Sequence, residues 1–483
     1  MCGPRPEKHL CLVVACPVLA LVACAQAGAS PLRDRVHARR ASPAAGKVQH
    51  LVIVIQENRT VDNLFNGYCN PHGQCANTVT TATIVPTPPP SRPSPLPTPT
   101  TIPLSPIPLN VPYDIKHDAA NFALATDCNG QWQSCLMDKF DWEGFGCVQP
   151  CKKFQMPSYP MIGYVPLGQI KPYVAMANAY VLFDNLFASN VDQSFVAHQY
   201  LIAAQAGGSP SQGGAMIDIP NYSWGCGGPE PQDQVNTFTL QRTFGPTETP
   251  CLDYTTLGDE IDAAPASRGL SWAYYAPAKG QLGYIWSAYQ AVAHVCEPVD
   301  PTTHACTGSL WNAHVFSPET TFVADVAAGK LASVTWIVPS LANSDHPGSK
   351  SRTGPGWIAS IVNAVGNSQF WSSTAIFVLW DDWGGWYDHV APPYVDYMGL
   401  GLRVPMLAIS PYATAGSVTS RCDPSSAYYE FGSILRFAED DFGLAQMAAS
   451  DARAADPAND PCVFNFNQPP RPFKKIPERG GPQ

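Results

Sequence analysis

IFVLWDDWGGWYDHV, residues 376–390, is an apolar run of strand length that ends in two adjacent carboxylates, Asp381 and Asp382, followed after Trp383 by the pair Gly384 and Gly385. Continuous apolar runs read as strands buried on both faces, and in open α/β sheets the ligand sits just beyond the strands' carboxyl ends. Two acids there repel each other unless a cation lies between them. Residue type alone also allows a second reading, because Asp and Gly are turn formers and the segment could close a hairpin.

Upstream, Leu51 to Ile55 is a second apolar, β-branched run, and it leads directly into Gln56-Glu57-Asn58-Arg59. Each strand end therefore delivers adjacent hard oxygen ligands, Glu57-Asn58 and Asp381-Asp382, and the two could converge on one divalent cation. Between and after them, further strands are predicted at Ala179 to Phe183, Ser333 to Val338 and Val404 to Ser410, the last interrupted by Pro405. Helical spacing recurs at Ile170, Tyr173, Val174 and Ala177, and again at Ile358, Ile361, Val362 and Val365, with Pro355 near the start and Gly366 near the end. Gly432 to Phe442 reads as a further helix. Alternating strands and helices predict an α/β fold with a largely parallel central sheet flanked by helices.

The chain of 483 residues is long enough to bury a large core, and its net charge of -10, without a long Lys/Arg run, argues against a nucleic-acid partner. Arg5 and Lys8 precede an apolar run from Leu10 to Ala23, the order of an export signal too short for a comfortable membrane span. Leu21-Val22-Ala23-Cys24 is similar to a bacterial lipoprotein cleavage box that would lipidate Cys24, whereas Ala25-Gln26-Ala27 offers a competing cleavage site. The expected organisation is a signal at 1–24, a small polar linker at 25–47, a catalytic domain at 48–450 and a polar, Pro-rich tail at 451–483 that packs on the surface, tethered if Cys422 bonds Cys462. Between Pro86 and Pro112 lie twelve prolines, both ends counted, which read as an extended surface excursion inserted in the domain.

Of sixteen cysteines, four lie in the signal region. The others fall into sequence-adjacent couples: Cys69 with Cys75, Cys128 with Cys135, Cys147 with Cys151, Cys226 with Cys251, Cys296 with Cys306, and Cys422 with Cys462. Export would let these form disulfide-stapled surface loops, and no CxxC repeat favours a zinc cluster instead.

The segment HLVIVIQENRTVDNLF, from His50 to Phe65, resembles the opening motif of the bacterial phospholipase C and acid phosphatase family of phosphoesterases, relatives of alkaline phosphatase and the sulfatases. WDDWGGWYDHV resembles that family's late metal motif. Further likeness runs through Gly163 to Ser189, SNVDQSFVAHQY from Ser189, SDHPGS from Ser344, GLRVPMLAISPYA from Gly401 and YEFGSILRFAEDDFGL from Tyr429. The resemblance implies an alkaline-phosphatase-like core and one divalent metal ion, of open identity, held by Glu57, Asn58, Asp381 and Asp382. It implies Ser194 as the nucleophile, with Ser189 a nearby competitor. It implies His117 and His346 as residues that contact phosphate oxygens or protonate the leaving group, with His294 a third substrate-binding histidine. His389 is assigned to orientation or packing of its loop, and His72, His198, His304 and His314 carry no assignment.

On this reading Ser194 takes the phosphoryl group in line, a histidine protonates the departing alcohol, and water releases the product. The substrate expected is a phospholipid cleaved in the phospholipase C manner, or another phosphoester; Ser rather than Thr at 194 keeps open a broad acid phosphatase acting on soluble monoesters. A non-catalytic surface lipoprotein is the alternative of another class. The protein is expected to be exported by a bacterium, either secreted, periplasmic or anchored to the outer membrane through Cys24, in an oligomeric state the sequence does not define.

Overall fold

The computed structural model describes residues 42–86, 98–129, 134–207, 215–217, 225–228, 234–349, 353–421 and 428–478. The signal, the lipidation residue and most of the linker lie outside them. The central sheet has eight strands among the described residues: β1 (His50–Gln56), β2 (Val181–Phe183), β3 (Trp272–Tyr275), β4 (Val315–Phe316), β5 (Val334–Ile337), β6 (Thr374–Trp380), β7 (Met406–Ile409) and β8 (Ser417–Val418). Their spatial order is β4-β3-β5-β1-β6-β7-β2-β8. Only β7 runs against its neighbours β6 and β2; the other pairings are parallel. The largely parallel sheet is thus present, and Pro405, without an N–H to offer a ladder, falls just before β7 begins.

β5 and β6 are buried at every position, and β1 at all but His50, so both faces of the sheet centre are covered. Helices α1 (Lys171–Ala179), α2 (Ser194–Ala203), α3 (Gly354–Gly366) and α4 (Phe431–Phe442) supply much of that cover, α1 packing with α3 and α2 with α4. α2 is buried along its whole length, as expected of a helix lacking a polar face. α4 is started by a reciprocal Glu430–Ser433 capping box and stopped by Gly443 in the left-handed conformation.

Two sequence expectations need correction. The proline segment is not wholly a surface excursion: Thr100–Pro103 pairs antiparallel with Thr81–Ile84, and Leu104, Ile107, Leu109 and Val111 are buried. Between the prolines these apolar residues recur and pull the returning chain onto the body; residues 87–97 lie outside the described part. The tail beyond 450 is likewise more than a surface strap, since Val463, Phe464, Phe466 and Ile476 are buried. Phe464 stacks near Phe377 of β6 and Phe437 of α4, so the apolar residues scattered among the tail's prolines complete the core. Five of the expected cysteine couples are disulfide-bonded; the sixth involves Cys422, outside the described residues.

Candidate active site

β1 and β6 are adjacent, parallel and in register, with Gln56 opposite Trp380. The residues immediately after them therefore emerge side by side at the carboxyl edge of the sheet, and these are Glu57-Asn58 and Asp381-Asp382. Backbone bonds continue the ladder past the strands: Asp381 N–H donates to Gln56 O at 2.9 Å, and Arg59 N–H to Asp382 O at 3.0 Å. Asn58 N–H donates to Asp381 Oδ1 at 2.9 Å. The turn that lets the two segments meet needs glycine. Asn58 has φ +59°, and a Cβ on Gly384 would stand 2.5 Å from Asn58 Cβ, closer than any real contact allows.

Ser194, the first residue of α2, enters this cluster from the side. Its hydroxyl donates toward Asp382 Oδ2 at 3.0 Å and Glu57 Oε2 at 3.3 Å. The helix N-terminus behind it favours negative charge on whatever the hydroxyl touches. Ser189 is engaged elsewhere: its hydroxyl donates to Glu430 Oε2 at 2.9 Å. His117 completes the far side, with Nε2 2.9 Å from Asn58 Nδ2 and 3.8 Å from Asp382 Oδ2, and Nδ1 2.6 Å from Ile115 O. That last contact makes Nδ1 the protonated nitrogen of the neutral ring and leaves Nε2 facing the cluster. Burial lowers the basicity of His117, but Asp382 and Asp114 outweigh it and raise its pKa to about 8.

The structure thus brings together Glu57, Asn58, Asp381, Asp382, Ser194 and His117. His346 has its ring 5.6 Å from Trp286 and Nδ1 2.6 Å from Pro347 O, so none of these contacts is with a cluster carboxylate. Its loop is nonetheless tied to the end of β1, because Asp345 N–H donates to Gln56 Oε1 at 2.8 Å and Arg59 Nη2 donates to Asp345 O at 2.6 Å. His294 is partly exposed, and both its ring nitrogens are taken by Asp253 and Asp259. His198, without a role in the sequence reading, lies in the cluster instead: Nε2 is 3.1 Å from Glu57 Oε1 and 3.5 Å from Asp381 Oδ2. The signal was its spacing, four residues after Ser194, which on a helix puts both side chains on one face.

Electrostatics and unsatisfied atoms test whether a cation belongs here. Glu57 and Asp382 are pushed well above the carboxylate range, first by burial and then by neighbouring Asp381. Asp381 is held down to about 2, since His198 and the Asn58 N–H overcome the burial that would raise it. Three buried acids so arranged cannot all ionise alone. Asn58 Oδ1, Asp381 Oδ2 and His198 Nδ1 are buried without a hydrogen bond. Glu57, His198 and Asp381 offer ligand atoms within 4.8 Å of one another. Orphaned hard oxygens among surplus buried carboxylates fit a divalent cation.

Fold and site together define an α/β protein with a buried, oxygen-rich acidic cluster and a helix-borne alcohol at the carboxyl edge of its sheet. The chain belongs to the phosphoesterase family, whose profile matches residues 48–445. It is 28% identical over 275 residues to the non-hemolytic phospholipase C of Pseudomonas aeruginosa, covering 46% of this chain and 37% of that protein. Against the non-hemolytic phospholipase C of Burkholderia pseudomallei it is 23% identical, with 92% of this chain and 63% of that one aligned. Against phospholipase C B of Mycobacterium tuberculosis the identity is 22%, covering 92% of this chain and 83% of that one. The chain spans 37% to 63% of the length of the Pseudomonas and Burkholderia relatives.

Proposed function

We propose that the protein hydrolyses phosphate esters, in the phospholipase C manner, by phosphoryl transfer to Ser194. One observation carries the reading: a helix-start hydroxyl lies 3.0 Å from Asp382 in a buried cluster of surplus carboxylates. The phospholipase C names of its relatives support the lipid substrate. A divalent cation held by Glu57, Asn58, Asp381 and Asp382 would lower the pKa of the Ser194 hydroxyl and neutralise phosphate charge. Ser194 Oγ attacks phosphorus as its proton passes to Asp382 Oδ2, the nearest acceptor. The P–O bond to the diacylglycerol oxygen breaks in line, and His117 Nε2 delivers a proton to that oxygen. Water then attacks the phosphoserine, restoring the serine and freeing the phosphorylated headgroup. His346, on the loop tied to β1 by Gln56 and Arg59, is the second histidine facing substrate. An alkaline-phosphatase-like relationship and export into an oxidising compartment belong to the same proposal, the latter supported by five disulfides.

The second reading, a phosphatase of soluble monoesters, is favoured by Ser rather than Thr at 194. Assay of phosphatidylcholine against a soluble aryl phosphate separates the two. Phosphopeptide mapping of enzyme quenched during turnover should find the phosphate on Ser194; a label elsewhere, or full activity of Ser194→Ala, removes it from the mechanism.

A further inference from the structure

The hairpin beside the two histidine segments carries apolar side chains that the described residues leave about half exposed. Phe145–Cys147 pairs with Tyr113–Ile115, Ile115 opposite Phe145, and His117 follows two residues on. On the other flank Gln149 Nε2 donates to Gly348 O, and Gly348 N–H donates to Val111 O at 2.8 Å, two residues beyond His346. The Cys147–Cys151 disulfide closes this short loop. Within it Phe145 is 44% and Val148 54% exposed, whereas the cluster beneath is sealed, Ser194 at 3% and His117 at 6%.

Three lysines accompany the exposed apolar pair. Lys152 and Lys153 directly follow the staple and are exposed, as is Lys116, the residue just after the paired strand. The acid between them, Asp114, takes the neighbouring Ile115 N–H at 3.0 Å. Half-exposed apolar residues with lysines close in sequence, on a disulfide-closed loop next to the His117 segment, are what an interfacial anchor requires: side chains that enter the acyl boundary and cations that meet lipid phosphates.

We infer that the Phe145–Lys153 hairpin docks the protein on a phospholipid surface and so delivers a headgroup to the site between His117 and His346. The inference rests on the phospholipase reading for its substrate, but docking itself is measured without turnover. A protein partner would leave vesicle binding absent, and the lysines favour lipid phosphate over an apolar protein face.

The test uses full-length protein, phosphatidylcholine vesicles with and without phosphatidylserine, and a soluble aryl phosphate ester. Phe145→Ser with Val148→Ser should lower vesicle co-sedimentation about tenfold or more. Lys152→Glu with Lys153→Glu should lower binding to the phosphatidylserine vesicles about fivefold per charge, an effect that added salt removes. Both variants should keep the melting temperature and the soluble-ester turnover of the parent. Vesicle binding unchanged in both variants overturns the inference, as does a parent protein that stays in the supernatant. Parent protein that sediments through this hairpin yet leaves the lipid uncleaved supports docking while removing the phospholipase reading.

Discussion

Two buried acid clusters arise from the same two segments and differ in how their charge is met. At the strand ends, Glu57, Asp381 and Asp382 face His198 and His117, and Asn58 Oδ1 and Asp381 Oδ2 are left without a hydrogen bond. A few residues on, Asp62 and Asp388 meet Arg403, whose Nε and Nη2 donate to the two oxygens of Asp388 at 2.9 and 3.1 Å. His389 donates to Asp62 Oδ2 from both its backbone N–H, at 2.8 Å, and its ring. Arg403 Nη1 finishes on Asp184 O at 2.9 Å. Both clusters group acids and a histidine closely enough to suggest a metal. The second already contains its cation, a guanidinium whose planar fork matches a carboxylate, so it locks the loop. Among the described residues the first has no Arg or Lys paired with its acids, the contrast that its proposed cation would explain.

The sharpest break of this contrast is Ser194→Ala. Removing the hydroxyl from the open cluster should lower turnover by about 10⁴-fold or more, with melting temperature and bound metal, read by native mass spectrometry, unchanged. The closed cluster should respond in the opposite currency. Arg403→Met strands Asp388 and Asp62 in the interior and should cost about 3–5 kcal/mol of stability, measured by urea or thermal unfolding. Adding Asp388→Asn to that variant should recover part of the loss; an Arg403→Met protein as stable as the parent would show that the lock carries no such role.

Metal removal separates the clusters next. If the open one holds a cation at about 100 times its Kd, chelation should remove about 2.7 kcal/mol, seen as a lower melting temperature that returns on adding the ion back. In the chelated protein Asp382→Asn should raise the melting temperature, because it relieves repulsion with Asp381. Asp388→Asn should lower it, because it breaks a pair with Arg403. Equal signs for the two substitutions would erase the distinction.

Much of this was legible in sequence because strand ends are local. Apolar runs ending in Glu57-Asn58 and Asp381-Asp382 placed two ligand pairs, and parallel register brought them together. The i, i+3, i+4 patterns located α1 and α3 because each helix buries one face. What remained hidden depended on long-range packing. His198 sits on a helix buried all round, so its spacing from Ser194 gave a shared face, but only the chain's path beside β1 turns that face toward Glu57. The tail's polar, Pro-rich composition read as a surface segment, yet Phe464 packs into the core between Phe377 and Phe437. His294 was a substrate contact only by family resemblance, and its partners Asp253 and Asp259 come from a segment whose proximity the spacing did not reveal.

His198 is the residue on which the open cluster comes nearest to resembling the closed one. It is buried and supplies the ring nitrogen nearest Glu57, 3.1 Å from Oε1, yet its Nδ1 has no hydrogen bond. If its role is to orient Glu57 and Asp381 around a cation, His198→Ala should weaken metal binding by about 10–100-fold, the usual effect of losing a partner that aligns ligands. His198→Gln, whose amide nitrogen can reach the place of Nε2, should restore most of that affinity, while His198→Asn, one bond shorter, should not. Titration of the metal-free variants by calorimetry reads this directly. If all three variants bind metal as tightly as the parent, His198 does not orient the ligands and its place beside Glu57 is one of packing alone.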